Sequence, residues 1–166
     1  MTAAEALEQL LRSYGDYYDV SREAAPFAAE AVFHSHEAQY FLVRAARIAE
    51  AESHEYVFFA LESLLEADRL NALAEAAWEG GLSRVRPHRD HRSSDVALIV
   101  LADRIAPEAA ALVPKLRRYQ SYRWGFQGWS HFRLCAAEVS TGRCLANRQG
   151  RRIRDLVRDN LAKRSD

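Results

Sequence analysis

VALIVLA, residues 96–102, is an unbroken apolar run with no polar residue at alternate positions. A strand with one face in water alternates apolar and polar side chains, so this run predicts a central strand covered on both faces. Downstream, Pro107 suits the first turn of a helix whose inward positions are Ala109, Leu112, Val113 and Leu116. Pro114 should kink or break that helix, because it removes a backbone donor and crowds the preceding turn. HFRLCAAEV, residues 131–139, reads as the next strand, and STGR as a tight turn into a short CLA strand. A last helix from about Gly150 carries Ile153, Leu156, Val157 and Leu161 on one face. The strand–helix–strand passage over residues 96–139 argues for at least one parallel pair.

Upstream of the run, Ser63 and Glu66 have capping-box spacing and open a helix with Leu65, Leu70, Leu73 and Ala77 inward, ending at Gly80-Gly81. FAAEAVFHSH (27–36) places Phe27, Ala29, Ala31 and Phe33 on one face and Glu30, Val32, His34 and His36 on the other. With QYFLVRAARIA (39–49) and HEYVFFAL (54–61) it predicts three consecutive antiparallel strands, although ARIAEAESH could be helical instead. The first helix opens on the Thr2/Glu5 capping pair, carries Leu7, Leu10, Leu11 and Tyr14, and ends at Gly15. The order is α-β-β-β-α-β-α-β-β-α. The economical reading is one α/β domain over residues 1–166, with α+β as the alternative and a mixed sheet flanked by about four helices.

A chain of 166 residues can bury roughly two-thirds of its unfolded surface, and 49% apolar with 28% charged residues is ordinary for a globular protein. Acidic residues stand where a signal peptide would be apolar, and no run of about 18 apolar residues occurs, so a cytoplasmic protein with no membrane partner is expected. Cys135 and Cys144 give neither a disulfide framework nor zinc-ribbon spacing and are expected as free, partly buried thiols.

The net charge of zero conceals a polarised chain. Residues 1–80 hold 15 carboxylates against five arginines, and residues 81–166 hold 18 basic residues against eight carboxylates. The two halves could neutralise each other within the fold. Alternatively the second half presents a basic face to nucleic acid or a phosphorylated ligand. On that reading the anion is held by Arg84, Arg86, Arg89 and Arg92 ahead of the central strand. Arg123, Trp124, Trp129 and Arg133 would join them from the aromatic stretch, and Arg148, Arg151 and Arg152 from the last helix. Arginines at a helix start oppose its macrodipole unless an anion or an acidic partner compensates.

YQSYRWGFQGWSHFR, residues 119–133, interleaves six aromatic residues with Arg123, His131 and Arg133. Rings that stack bases between arginines that hold phosphates would make a single-stranded nucleic-acid platform. The competing reading is a strand pair whose rings fill the core, with Gly125 and Gly128 permitting a turn or bulge. RPHRDHRSSD, residues 86–95, offers different chemistry. Two of the imidazoles His34, His36, His88 and His91 with the other two, or with Glu37, Asp90 or Asp95, could complete a four-ligand site for a divalent transition metal such as zinc, nickel or iron.

Phosphate-loop, dinucleotide and serine-elbow motifs are missing from the sequence. The element order resembles the core of restriction-endonuclease-like nucleases, and Glu50, Glu52 and Glu55 lie in the region of their metal-holding acids. Both lysines, Lys115 and Lys163, are far from it in sequence, so that active site is not expected here. A nucleophile made of Cys135 and His131 is discounted for want of a positive environment or a third orienting group.

Three segments, FHSHEAQYFL, PHRDHRSSDVALIVLAD and YRWGFQGWSHFRL with the downstream LANRQG, resemble a family of small uncharacterised bacterial proteins that share a domain of unknown function. The likeness spans about residues 27–152. His34, His88, His91, Gly125, Gly128 and Trp129 match the family's pattern and His36 does not, which puts a ligand role for His36 in doubt. The family implies no activity.

Three functions are therefore expected in order. The first is a binding module for nucleic acid or a phosphorylated ligand. The second is a metal-dependent hydrolase built on the histidines. The third is an interaction module whose charged faces or exposed rings drive homo-oligomerisation or partner docking.

Overall fold

The computed structural model describes residues 1–22, 24–34, 52–87 and 91–163, with backbone alone for His34, Glu52, Ser53, His91 and Arg92. The run that opens the sequence lies in β4 (His91–Ile105), where Val96 to Ala102 are all fully buried. On one side β4 pairs in parallel with β3 (Glu52–Leu65), on the other with β6 (Trp129–Glu138). The sheet continues outward through β2 (Ala29–His34) and β1 (Asp19–Ser21), both antiparallel, and ends beyond β6 in β5 (Tyr119–Ser121) and β7 (Arg143–Ala146). Among the described residues this makes one mixed, seven-stranded sheet and four helices. The fold is therefore α/β, with the order of elements read from the sequence.

Side chains alternate across the sheet and create two cores. Tyr56, Phe58, Val96, Leu98, Phe132 and Leu134 meet α2 (Ala67–Leu82) and α3 (Pro107–Leu112). Val57, Phe59, Ala97, Ile99, Leu101 and Cys135 meet α1 (Ala3–Tyr14) and α4 (Arg151–Ala162). The capping box of Thr2 and Glu5 forms at the start of α1. Pro114 converts the end of α3 into a 3-10 turn over Val113–Lys115. No helix among the described residues is long and apolar enough to cross a membrane.

Three local expectations are corrected. Ser63 does not cap α2, because β3 continues to Leu65 in register with Ile105 of β4; the N-cap is Glu66, which makes no side-chain cap bond. The ladder bonds along β4 outcompete the capping signal. Gly80 and Gly81 do not stop α2, which runs on to Leu82. A Cβ at position 81 would stand 2.3 Å from Cγ2 of Val96, so Gly81 lets the helix approach the central strand. Phe27 precedes β2 and packs on Phe58 in the α2 core, opposite the face taken by Ala29 and Ala31. The strand expected over 39–49 lies outside the described residues.

At the far end of the sheet, Glu138 accepts hydrogen bonds from the Ile105 N–H (2.7 Å) and the Thr141 hydroxyl (2.8 Å). The backbone bond from Ile105, followed by that from Thr141, holds its carboxyl below the ordinary carboxylate range. A depressed folded pKa adds stability that is present above the unfolded value of about 4.3 and is lost as pH falls through the folded value. Glu138→Gln is therefore expected to lower the urea midpoint near neutral pH and to flatten the acid side of the stability–pH curve. Parallel acid limbs for the two proteins would reject this role.

Candidate anion site at the sheet edge

β6 takes two antiparallel partners on the edge away from β4. Its start pairs with β5 over Trp129 to His131, and its end pairs with β7 over Cys135 to Glu138. The edge between them, at Phe132 to Leu134, would lack a partner strand, and unpaired backbone groups there need another source of hydrogen bonds. Asn147 supplies them. Its Nδ2 donates to the carbonyls of Phe132 and Leu116, both at 2.9 Å, and its Oδ1 accepts from the N–H groups of Leu134 (3.0 Å) and Gly150 (2.9 Å). Two donors and two lone pairs are all that an asparagine amide offers, so this side chain, 1% exposed, is fully used. The Phe132 N–H goes to the Arg118 carbonyl and the Asn147 N–H to that of Leu134, each at 3.1 Å.

Above this floor opens a cleft of about 430 Å³ walled by Arg117, Arg118, Tyr119, His131 and Arg148. The Tyr119 ring, 61% exposed, packs against the His131 imidazole with centroids 5.1 Å apart and the ring planes tilted by 51°. Arg118 reaches Glu75 at 3.6 Å. Among the described residues neither Arg117 nor Arg148 is in an ion pair. The cleft thus carries an excess of positive charge over a rigid, satisfied floor, which suits an anion.

A second constellation lies on the α1/α4 face. Glu55 of β3 and Asp95 of β4 are register partners, both 7% exposed, and Arg133 of β6 bridges them. Its Nη1 donates to Glu55 at 2.5 Å and its Nη2 to Asp95 at 2.6 Å. Tyr18 donates to the other Glu55 oxygen at 2.7 Å, and the His131 backbone N–H to the other Asp95 oxygen at 3.0 Å. Burial, and then the Glu55 charge, push the Tyr14 and Tyr18 hydroxyls well above the ordinary phenol range. A cavity of about 290 Å³ beside the cluster is lined by these tyrosines and by Arg152. Position 57, two residues after Glu55, is a buried valine and carries no ammonium group, so Glu55 does not open the Glu-x-Lys pair of a nuclease.

A family model for the domain of unknown function DUF8052 matches residues 2–159, nearly the whole chain. The chain belongs to the DUF8052 family. No curated protein and no solved structure matched it.

In this DUF8052 chain the basic residues singled out in the sequence are dispersed. Arg84 pairs with Glu30 at 2.8 Å and lies over the Tyr56 and Phe58 rings. Arg86 donates to the carbonyls of Ser83 and Val85. Arg89 lies outside the described residues, as does the side chain of Arg92. Arg123 and Trp124 stand at the tip of the β5–β6 hairpin, and Trp129 pairs with Ser121 in the last ladder pair before that tip. Arg133 is committed to Glu55 and Asp95, Arg148 enters the cleft, and Arg151 and Arg152 are exposed at the start of α4. Arg117 and Arg118 escaped the sequence reading; they lie in the short connection between the 3-10 turn and β5.

Of the metal-ligand candidates, His88 and Asp90 fall outside the described residues, as do His36 and Glu37. His34 and His91 are placed by backbone only, His34 opposite His54 and His91 opposite Glu52. Among the described residues no group of three or more His, Cys, Asp or Glu side chains could hold a metal ion. Cys144 lies opposite Ala137, diagonal to Cys135 across the β6–β7 ladder. Diagonal Cα atoms stand about 7–8 Å apart, beyond disulfide reach, and both thiols are free. Burial raises the Cys135 thiol far above its ordinary range, which opposes a nucleophilic thiolate.

Proposed function

We propose that the protein is a binding module that holds a phosphorylated ligand in the notch between β5 and β7. The reading is carried by one observation: Arg117 and Arg148 converge with Arg118 on a cleft of about 430 Å³, and among the described residues no carboxylate pairs with either of the first two. Guanidinium groups match phosphate oxygens with forked donors, and a cleft of this volume lies within the range of small-ligand sites. Tyr119, exposed at the cleft wall, adds an aromatic face on which a ring can lie. The polarised sequence accords with this placement, since every wall residue comes from its basic second half.

The test is isothermal titration calorimetry with inorganic pyrophosphate and a nucleoside diphosphate. Binding should weaken as salt rises, because the contacts are charge contacts at the surface. Arg148→Glu removes one charge-assisted hydrogen bond and adds a repulsive carboxylate, so the affinity is expected to fall roughly ten-fold to a hundred-fold with the melting temperature held. Equal affinity for wild type and variant would remove the notch from consideration.

A further inference from the structure

The hairpin joining β5 to β6 ends in a feature that phosphate binding at the notch does not use. Trp124 is 94% exposed and Phe126 82% exposed, with Arg123 and Gln127 beside them. Large rings in water do not stabilise the fold that holds them. Yet Arg123 (φ 46°) and Trp124 (φ 52°) both adopt the left-handed region that non-glycine residues avoid. The tip is nonetheless tightly built. The Tyr122 N–H donates to the Gly128 carbonyl at 2.9 Å, the Gly125 and Gln127 N–H groups both donate to the Tyr122 carbonyl at 3.1 Å, and Gly125 and Gly128 supply further positive φ values of 90°. Tyr122 also shares a 2.9 Å hydrogen bond with Ser130. Backbone strain held in place by its surroundings, with no packing gain from the rings it presents, is the pattern of a contact surface.

We infer that the ligand of the notch is a single-stranded polynucleotide whose phosphates sit at Arg117 and Arg148 and whose bases stack on Trp124 and Phe126. The inference rests on the phosphate reading of the notch and adds the chemical class of the ligand. Two observations select this occupant. The tip is continuous with the notch, because the three-residue strand β5 runs from Tyr119, which walls the cleft, to the tip itself, a span of roughly 10 Å. The rings also alternate with arginine along that span: Arg117, Arg118, Tyr119, then Arg123, Trp124 and Phe126, with Trp129 and His131 on the facing strand. Aromatic faces for bases and guanidinium groups for the backbone are what sequence-tolerant single-strand binders combine.

The full chain should be titrated against a fluorescein-labelled deoxythymidine oligomer of about twelve nucleotides, within the site sizes of known single-strand folds. In parallel, pyrophosphate binding should be measured for the same proteins. Wild type is expected to bind the oligomer, with quenching of tryptophan fluorescence. Trp124→Ala and Phe126→Ala should each weaken oligomer binding roughly five-fold to a hundred-fold and leave pyrophosphate affinity unchanged, whereas Arg148→Glu should weaken both. Unchanged oligomer affinity in both tip variants would overturn the inference while leaving the phosphate reading intact. Absence of binding to either probe by wild type would overturn both. If the tip variants lose binding to phosphatidylserine vesicles, or lose a concentration-dependent dimer, and bind the oligomer as wild type does, the tip serves lipid or self-association and the inference fails.

Discussion

Replacing Asn147 by alanine is expected to destabilise the protein by about 3–5 kcal/mol and to lower its melting temperature by roughly 10 °C. The substitution removes four hydrogen bonds at a site 1% exposed to solvent. It leaves the carbonyls of Leu116 and Phe132 and the N–H groups of Leu134 and Gly150 without their side-chain partner. Each such group forfeits a net contribution near 1 kcal/mol, and more where water cannot reach it. Asn147→Asp sharpens the test, because its ionised carboxylate would still accept from Leu134 and Gly150 but would turn an oxygen toward two carbonyls. It should therefore be no more stable than the alanine variant near neutral pH. Asn147 forms the floor of the cleft, so both variants should also bind pyrophosphate less tightly. Urea unfolding read by tryptophan fluorescence measures the first effect. A loss below about 1 kcal/mol would mean that water or a rearranged strand replaces the side chain.

Arg133→Met should cost about 2–4 kcal/mol. Glu55 and Asp95 face each other across the β3–β4 ladder, each 7% exposed, and Arg133 is the cation that reaches both. Removing one partner of a buried pair leaves uncompensated charge and typically costs about 3–5 kcal/mol. The figure is discounted here because the Arg133 side chain is 36% exposed and solvent screens part of the change. The decisive comparison is the triple variant with Glu55→Gln and Asp95→Asn added, which removes the stranded charges and should recover most of the loss. A triple variant no more stable than Arg133→Met would place the effect in packing instead of charge. Neither variant touches the notch side chains, so the phosphate reading expects pyrophosphate binding to survive in both.

The sheet was legible because its strands announce themselves. Val96 to Ala102 form an apolar run without alternation, and such a run has one stable place, between two layers of helix. The amphipathic positions of α1 were legible for a similar reason; in α4 Ile153 and Val157 are buried as read, but Leu156, assigned to the same face, is 41% exposed. Signals shared by two structures misled: Ser63 with Glu66 has capping spacing, yet the parallel ladder to Ile105 keeps that segment extended. Gly80 and Gly81 read as a stop, yet glycine also permits close packing, and Val96 lies where a side chain at position 81 would be. The candidate site was harder to read. Its floor depends on Asn147 reaching Leu116 and Phe132, which are 31 and 15 residues away in sequence, and asparagine after a short strand looks like an ordinary turn residue. The aromatic stretch is only partly the core element that one reading of it expects. Phe132 enters the core at 1% exposure, while Trp124 and Phe126 stand in solvent.

The charge polarity was visible in composition, but its distribution was not. Arg133 and Arg84 neutralise carboxylates within the fold, as expected if the two halves offset each other. Arg117 and Arg148 are left facing outward at the sheet edge. Ion-pair geometry, which no count of residues contains, separates the two groups.

The most direct measurement is a two-dimensional amide and arginine Nε–H NMR titration of the ¹⁵N-labelled full chain with pyrophosphate. A phosphate site in the notch requires the largest shifts at the Arg117, Arg118 and Arg148 side chains and at the Tyr119, His131 and Gly150 amides, saturating together and disappearing in Arg148→Glu. Shifts centred on Tyr17, Tyr18 and Arg152, or spread evenly over exposed arginines without saturation, would contradict the account.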